Sequence, residues 1–112
     1  NYPIPICADE SFQSSEDLNR LSDCYDAFNI KLDKCGGLTD ALKIVSWCKK
    51  NNKKILVGNM LGSSLAMAPG LIIAQYSDWI DLDGPLLQKD DFKPVIRFDD
   101  TEMHPPEPEL WG

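Results

Sequence analysis

The stretch "AFNIKLDKCGGLTDALKIVSWCKKNNKKILVG", Ala27 to Gly58, carries the reading of the fold. It opens on an apolar, strand-like run, Ala27 to Leu32, with Lys31 standing inside it. It passes through Gly36-Gly37 into "LTDALKIVSWCKK". There Thr39 is placed to cap a helix, and Leu42, Ile44, Val45 and Cys48 supply its apolar face. After a polar turn it ends on a second strand-like run, Lys54 to Gly58. Strand, helix and strand with no hairpin signal between them is a βα unit with parallel strands and a right-handed crossover.

The same unit repeats outward in both directions. Upstream, Ile4 to Ala8 reads as a strand. "SSEDLNRLSD" reads as a helix capped by Ser14 or Ser15, with acids in its first turn. Downstream, "SSLAMAPGLIIAQYS" is a helix apolar nearly all round and so well buried, bent or restarted at Pro69-Gly70. Trp79 to Leu82 reads as a fourth strand. The runs recur at roughly 25-residue intervals, the size of a βα unit. The expected fold class is therefore α/β, with four adjacent parallel strands and helices on one side. A doubly wound open sheet and a (β/α)-barrel both use this order. Beyond Asp83 the pattern fades into loop, one short strand around Val95 to Phe98, and an extended proline-rich tail, "MHPPEPELWG".

Composition narrows the function classes. The 112 residues suit one small domain, 1–112, and carry 18 acidic against 11 basic side chains, a formal charge of −7. That balance argues against a nucleic-acid partner, which needs clustered Lys and Arg. The one basic cluster, Lys49 to Lys54, falls at an expected helix end, where cations suit the helix dipole. No apolar run approaches the roughly 20 residues of a bilayer span, so no membrane partner is expected. No signal-like leader opens the sequence and it starts without a methionine, as expected of a piece of a longer cytoplasmic chain. Cys7, Cys24, Cys35 and Cys48 match no zinc spacing and are expected to be free thiols in a reducing compartment.

In parallel α/β folds chemistry collects at the C-terminal ends of strands. Here the first run ends in Asp9 and Glu10. The second carries Lys31, with Asp33 and Lys34 just beyond. The third ends in Asn59, followed by Met60, and the fourth carries Asp81 and Asp83. Side chains two apart on a strand share a face, so Asp81 and Asp83 repel each other unless a cation sits between them. Lys31 points away from Ile30 and Leu32. Two readings of it stay open: an amine snorkelling or salt-bridged at a strand edge, and an inward-facing functional base.

The motifs "PICADES", "FNIKLDKCGGLTDALKI", "VGNMLGSSLAMA" and "WIDLDGP", in this order, closely resemble the dipeptide epimerases of the enolase superfamily, within its muconate-lactonizing subgroup. The L-Ala-D/L-Glu epimerases are the best-known type. The resemblance runs from about Pro3 to Pro85 and weakly beyond. It implies the C-terminal part of a (β/α)7β TIM-like barrel, about strands five to eight plus a tail. It also implies Mg²⁺ as cofactor, a dipeptide as substrate, and a reaction in which two lysines take and return the proton α to a carboxylate through a metal-stabilised enediolate. Carried over by position, Asp9 is a metal ligand with Glu10 supporting it, and Lys31 is one acid/base. A buried amine beside a metal should have a depressed pKa. Asp81 and Asp83 hold the dipeptide ammonium group, and Asn59 and Met60 line the substrate site. Lys34 has no catalytic role to carry over and is expected to pair with Asp33 or Glu10.

The missing part of the barrel would carry the other lysine and the remaining metal ligands. The segment alone is therefore expected to be inactive, and the complete protein to be a homo-oligomer. Gly62 replaces an acid common in relatives, and "PEPELWG" replaces the usual ending. The competing expectations are a cycloisomerase or an o-succinylbenzoate synthase of the same subgroup, which lack the paired acids, and a non-catalytic α/β module.

Overall fold

The computed structural model describes residues 2–112. Four strands form one sheet in the order β1-β2-β3-β4, every neighbour parallel: β1 (Cys7–Ala8), β2 (Ala27–Ile30), β3 (Lys54–Val57) and β4 (Trp79–Ile80). The parallel βα order expected from the sequence is therefore the order observed. The strands are shorter than expected. Ile4 lies outside β1 and is 70% exposed. Leu32 opens a helix instead of ending β2, Gly58 follows β3, and Leu82 follows β4. β1 and β4 each have one partner strand and pair with only two of its four residues.

Register fixes the two faces. Phe28 pairs with Ile55 and Ile30 with Val57, and all four are 0–2% exposed. This face packs against the helices. Phe28 meets Phe12 and Trp47 edge-on, with ring centroids 5.1 and 5.7 Å away. Trp47 belongs to α3 (Leu38–Lys50), the longest helix, which also buries Ala41, Ile44, Val45 and Cys48. Two expectations fail on α3. Leu42 is 38% exposed, and Ala41 takes its place on the apolar stripe. Thr39 is not the cap: the helix starts after Gly37, whose carbonyl accepts from Ala41 N. The reason is the turn before it. α2 (Leu32–Cys35) is closed by Gly36 and Gly37 at φ 78° and 113°, conformations glycine adopts without strain, and these aim the chain straight into α3.

Upstream, Ser14 caps a short 3-10 turn, Ser15–Asp17, with Asp17 completing a capping box, and α1 (Leu18–Leu21) follows. Downstream, the helical stretch breaks as expected into α4 (Ser64–Met67) and α5 (Gly70–Ala74). It is buried on one side only, since Leu65 is 40% exposed. The short strand expected at Val95–Phe98 is instead half of an antiparallel hairpin, β5 (Phe98–Asp99) with β6 (Glu102–Met103). Asp100 turns it at φ 54°, a left-handed conformation that Asp tolerates. Nor is the tail wholly extended. Pro108 sits in the first turn of α6 (Pro108–Trp111), which buries Leu110 in the core.

A polar latch holds the C-terminal segment. Asp91 accepts from Ser64 N at 2.9 Å and from Ser64 Oγ at 2.5 Å, and Ser64 Oγ in turn accepts from Ile96 N at 2.9 Å. Ser64 is fully buried, so these bonds satisfy groups that water cannot reach. No helix among the described residues is long and apolar enough to cross a membrane.

Candidate active site at the strand ends

The sheet face opposite the helices carries the polar residues. Along β2 it presents Asn29 and then, one residue past the strand, Lys31. Along β3 it presents Leu56, paired with Trp79 of β4. Asp81 extends the β4 ladder by one step, its N–H donating to Val57 O at 2.8 Å. Asp9 follows β1 directly.

Asp9 is the hub. Lys31 Nζ donates to its Oδ2 at 3.0 Å, and Lys34 Nζ donates to its Oδ1 and to its main-chain carbonyl, both at 2.8 Å. Burial opposes ionisation of Asp9. The bonds from Lys34 and then Lys31 outweigh it and hold the carboxyl below its ordinary range. The expected partner of Lys34 was Asp33 or Glu10, and the structure corrects this. One helical turn with Lys31 at its N-cap and Lys34 three residues on brings both amines to the same side, facing the end of β1. The lysine at 31 and the two glycines that follow thus belong to one device. Glu10 is exposed, and among the described residues its side chain makes no hydrogen bond to Asp9.

Asp81 and Asp83 form the other half. Asp83 stands at the entry of a 3-10 turn, Gly84–Leu87. Desolvation first, then the charge of Asp83, push the Asp81 carboxyl up, while Lys31 draws it down. That Lys31 and Asp9 both act on Asp81 puts the two halves in one electrostatic field. Asn59 Nδ2 donates to Asp81 O at 2.7 Å, so this residue ties the end of β3 to the end of β4. A Cβ on Gly84 would lie 2.6 Å from Asn59 Oδ1, so the tie needs glycine there. Met60, next along the chain from Asn59, is 52% exposed, and its N–H donates to Asp33 Oδ2 at 3.4 Å. The free edge of β4 borders a groove of about 490 Å³ that includes Asp81, Asp83, Phe98 and Met103.

Asn29 was missed from the sequence. It is 5% exposed, its Oδ1 has no hydrogen-bond partner, and a Cβ on Gly58 would come within 2.5 Å of that oxygen. Its spacing, two before Lys31 on one strand, was the available signal. The cysteines are free, and Cys35 and Cys48 are buried. Burial pushes the Cys48 thiol up to about 12 and the Cys7 thiol to about 11, so neither is poised as a nucleophile.

Among the described residues no group of three or more His, Cys, Asp or Glu side chains is placed to hold a metal ion. Asp9 suits a hard cation as a single donor. It is a carboxylate at a strand end and its side chain is 30% accessible, while the Lys31 ammonium on its Oδ2 would compete with such a cation.

Known proteins bear on these residues as follows. The family model described as enolase C-terminal domain-like matches residues 1–109. An N-acetyl-D-glutamate racemase from Pseudoalteromonas sp. is 47% identical, over 98% of this chain and 35% of its own length. The L-Ala-D/L-Glu epimerase of Escherichia coli is 38% identical, over 92% of this chain and 32% of its own. A solved enolase family member from Agrobacterium tumefaciens, described as having homology to dipeptide epimerases and containing bound sodium and L-Ala-L-Glu, superposes with a TM-score of 0.95. It shares 50% identity over all of this chain and 34% of its own. The chain thus spans about a third of the length of the curated relatives it matches.

Proposed function

Since the chain belongs to the enolase C-terminal domain-like family, and its α/β fold is the C-terminal part of that family's TIM-like barrel, we propose that it completes the active site of a dipeptide epimerase. On this reading residues 1–112 supply about the fifth to eighth barrel strands and the tail. The rest of the barrel comes from the remainder of a longer protein, homo-oligomeric and cytoplasmic, and the segment alone is inactive.

The observation that carries the proposal is the convergence of Asp9, Lys31, Asp81 and Asp83, from three strand ends, on one sheet face. Each has a role its surroundings suit. The Lys31 amine, 15% accessible and held at Asp9 Oδ2, is aimed at the strand ends, where it can take or return a proton at the substrate α-carbon. Asp81 and Asp83 present two mutually repelling carboxylates, which a substrate ammonium relieves. Asn59 holds Asp81 in place by its main chain, and Met60, the residue after Asn59, offers exposed apolar surface. Asp9 would be one ligand of a divalent cation such as Mg²⁺, supported by Glu10, and that cation would supply positive charge to the substrate carboxylate as the α-proton leaves.

A second reading has its own support. The racemase at 47% identity is named for an N-acylated amino acid, which has no ammonium to offer the acidic pair. The deciding experiment assays the complete protein with L-Ala-L-Glu and with N-acetylglutamate, following α-proton exchange in D₂O. Preference for the free dipeptide supports the first reading, and preference for the N-acetyl substrate replaces it with the second. No exchange on either substrate reopens the cycloisomerase and non-catalytic readings.

A further inference from the structure

Lys34 is left without a role by the proposed chemistry, yet it is the more deeply buried of the two lysines on Asp9. Its side chain is 10% accessible, and its ammonium lies 5.8 Å from the Phe12 ring centre. A buried ammonium is costly unless well paired, and both hydrogen bonds of this one go to a single residue. Those bonds span the main-chain carbonyl and Oδ1 of Asp9. A bridge between the two ends of an aspartate stops the carboxylate from turning and exchanging its oxygens. The Asp9 carbonyl also accepts from Phe12 N at 3.0 Å, so the backbone end of the bridge is anchored. Lys31 differs: it makes one bond, at 3.0 Å, to the other oxygen, and is more accessible.

We propose that Lys34 is a positioning residue that locks Asp9 through Oδ1 and the main-chain carbonyl. Oδ2 is then the one oxygen exchanged between the Lys31 ammonium and a bound cation. The inference rests on reading Asp9 as a cation ligand. It extends that reading to a coupling: the cation takes the place of Lys31 on Oδ2, so loading the site and releasing the Lys31 amine are one event. Lys34 stays where it is throughout. The device requires two lysines one helical turn apart, which is what the α2 turn and its glycine exit provide.

The test is Mg²⁺ binding by calorimetry to the metal-stripped complete protein without substrate, so that no readout depends on turnover. Asp9→Asn tests the underlying reading: unchanged affinity in that variant removes Asp9 as a ligand whatever Lys34 does. With Asp9 upheld, Lys34→Met should raise the Mg²⁺ Kd by about 10- to 100-fold, as loss of a group orienting a metal ligand does. Lys31→Met should lower the Kd, because the competitor for Oδ2 is gone. The opposite signs separate positioning from a general effect of removing positive charge, which would tighten binding in both variants. A merely structural strut would shift the melting temperature of Lys34→Met and leave the Kd of the folded protein alone. An unchanged or lower Kd in Lys34→Met, or an unchanged or higher one in Lys31→Met, overturns the inference. If the Met variant does not fold, Lys34→Gln, whose shorter neutral arm cannot span the Asp9 carbonyl and Oδ1, should raise the Mg²⁺ Kd in the same direction, and an unchanged or lower Kd in it overturns the inference.

Discussion

The two halves of the site hold their carboxylates in opposite ways. At the ends of β1 and β2, one carboxylate receives three hydrogen bonds from two ammonium groups and is held ionised. At the end of β4, two carboxylates face each other, and the Asp81 carboxyl is driven up by burial and by Asp83. The first half is charge-balanced by the chain's own lysines. In the second, neither acid forms an ion pair with a lysine or arginine among the described residues. A stable arrangement and a receptive one thus sit on the same sheet face, and the difference marks where substrate charge is expected.

The largest effect should come from the paired half. Lys31→Ala in the complete protein should lower α-proton exchange on the face it serves by about 10²–10⁴-fold, the usual contribution of a positioned acid/base. Exchange from the opposite configuration should survive. Measuring D₂O exchange from each epimer separately checks this, and wild-type rates from both would end the assignment.

Next comes the receptive half. Asp81→Asn should raise the KM for a free dipeptide by roughly ten- to a hundredfold, as loss of one charge-assisted hydrogen bond worth about 1.5–3 kcal/mol would. An N-acetylated substrate should be much less affected. Equal losses on both substrates would show that the pair shapes the loop and binds no ammonium.

Stability should separate the halves from the scaffold. Asp91→Ala removes a carboxylate that caps α4 and satisfies buried Ser64. It should cost about 1–2 kcal/mol by denaturant unfolding, as loss of a helix cap does. Burial opposes ionisation of Asp91, but the Ser64 hydroxyl and amide bonds, with that of Phe92, hold its folded-state pKa below the ordinary 3.8. Its contribution is therefore complete above 3.8 and is lost as pH falls through the folded-state value. The gap between wild type and variant should close over that acid range. A gap that persists unchanged would assign the loss to packing.

The smallest effect has the opposite sign. The folded-state pKa of Asp81 is raised above 3.8, so its ionised form weakens the fold at neutral pH, and the penalty fades as acid protonates it. Asp81→Asn should raise the melting temperature slightly at pH 7 and lose that advantage below pH 3.8. A lowered melting temperature at pH 7 would mean that the acidic pair is already compensated within the fold.

Much of this comparison could be read from residues alone. The strands announced themselves as short apolar runs between turn residues, and Asp9, Lys31, Asp81 and Asp83 stood at their ends. What escaped the sequence was tertiary choice. Lys34 had nearer acids in Asp33 and Glu10, and only the folded α2 turn shows that Asp9, 25 positions away, receives it. Thr39 has the right chemistry for a cap, but left-handed Gly36 and Gly37 set the start of α3 two residues too early for it. The last helix was hidden because prolines before Glu109 suggest extension, whereas Pro108 opens α6 and Leu110 finds the core. The Ser64–Asp91 latch joins the first residue of α4 to a distant loop, with no sequence pattern in common.

The strand order 1-2-3-4 has a kinetic consequence. Every pairing joins a strand to the next one along the chain, across an intervening segment of helix and turn. The entropy of loop closure grows only slowly with length, so each addition faces a barrier of similar height. The sheet can therefore grow one βα unit at a time, each completed pair serving as the template for the next, with β2 and β3 sharing the longest register as the natural nucleus. Growth of this kind has no built-in stop. Both margins, β1 and β4, still offer unpaired backbone groups to any strand that arrives next. In a crowded solution the remainder of the barrel and a stray second copy would compete for those margins, and the relative rates of the two encounters would set the yield of folded protein.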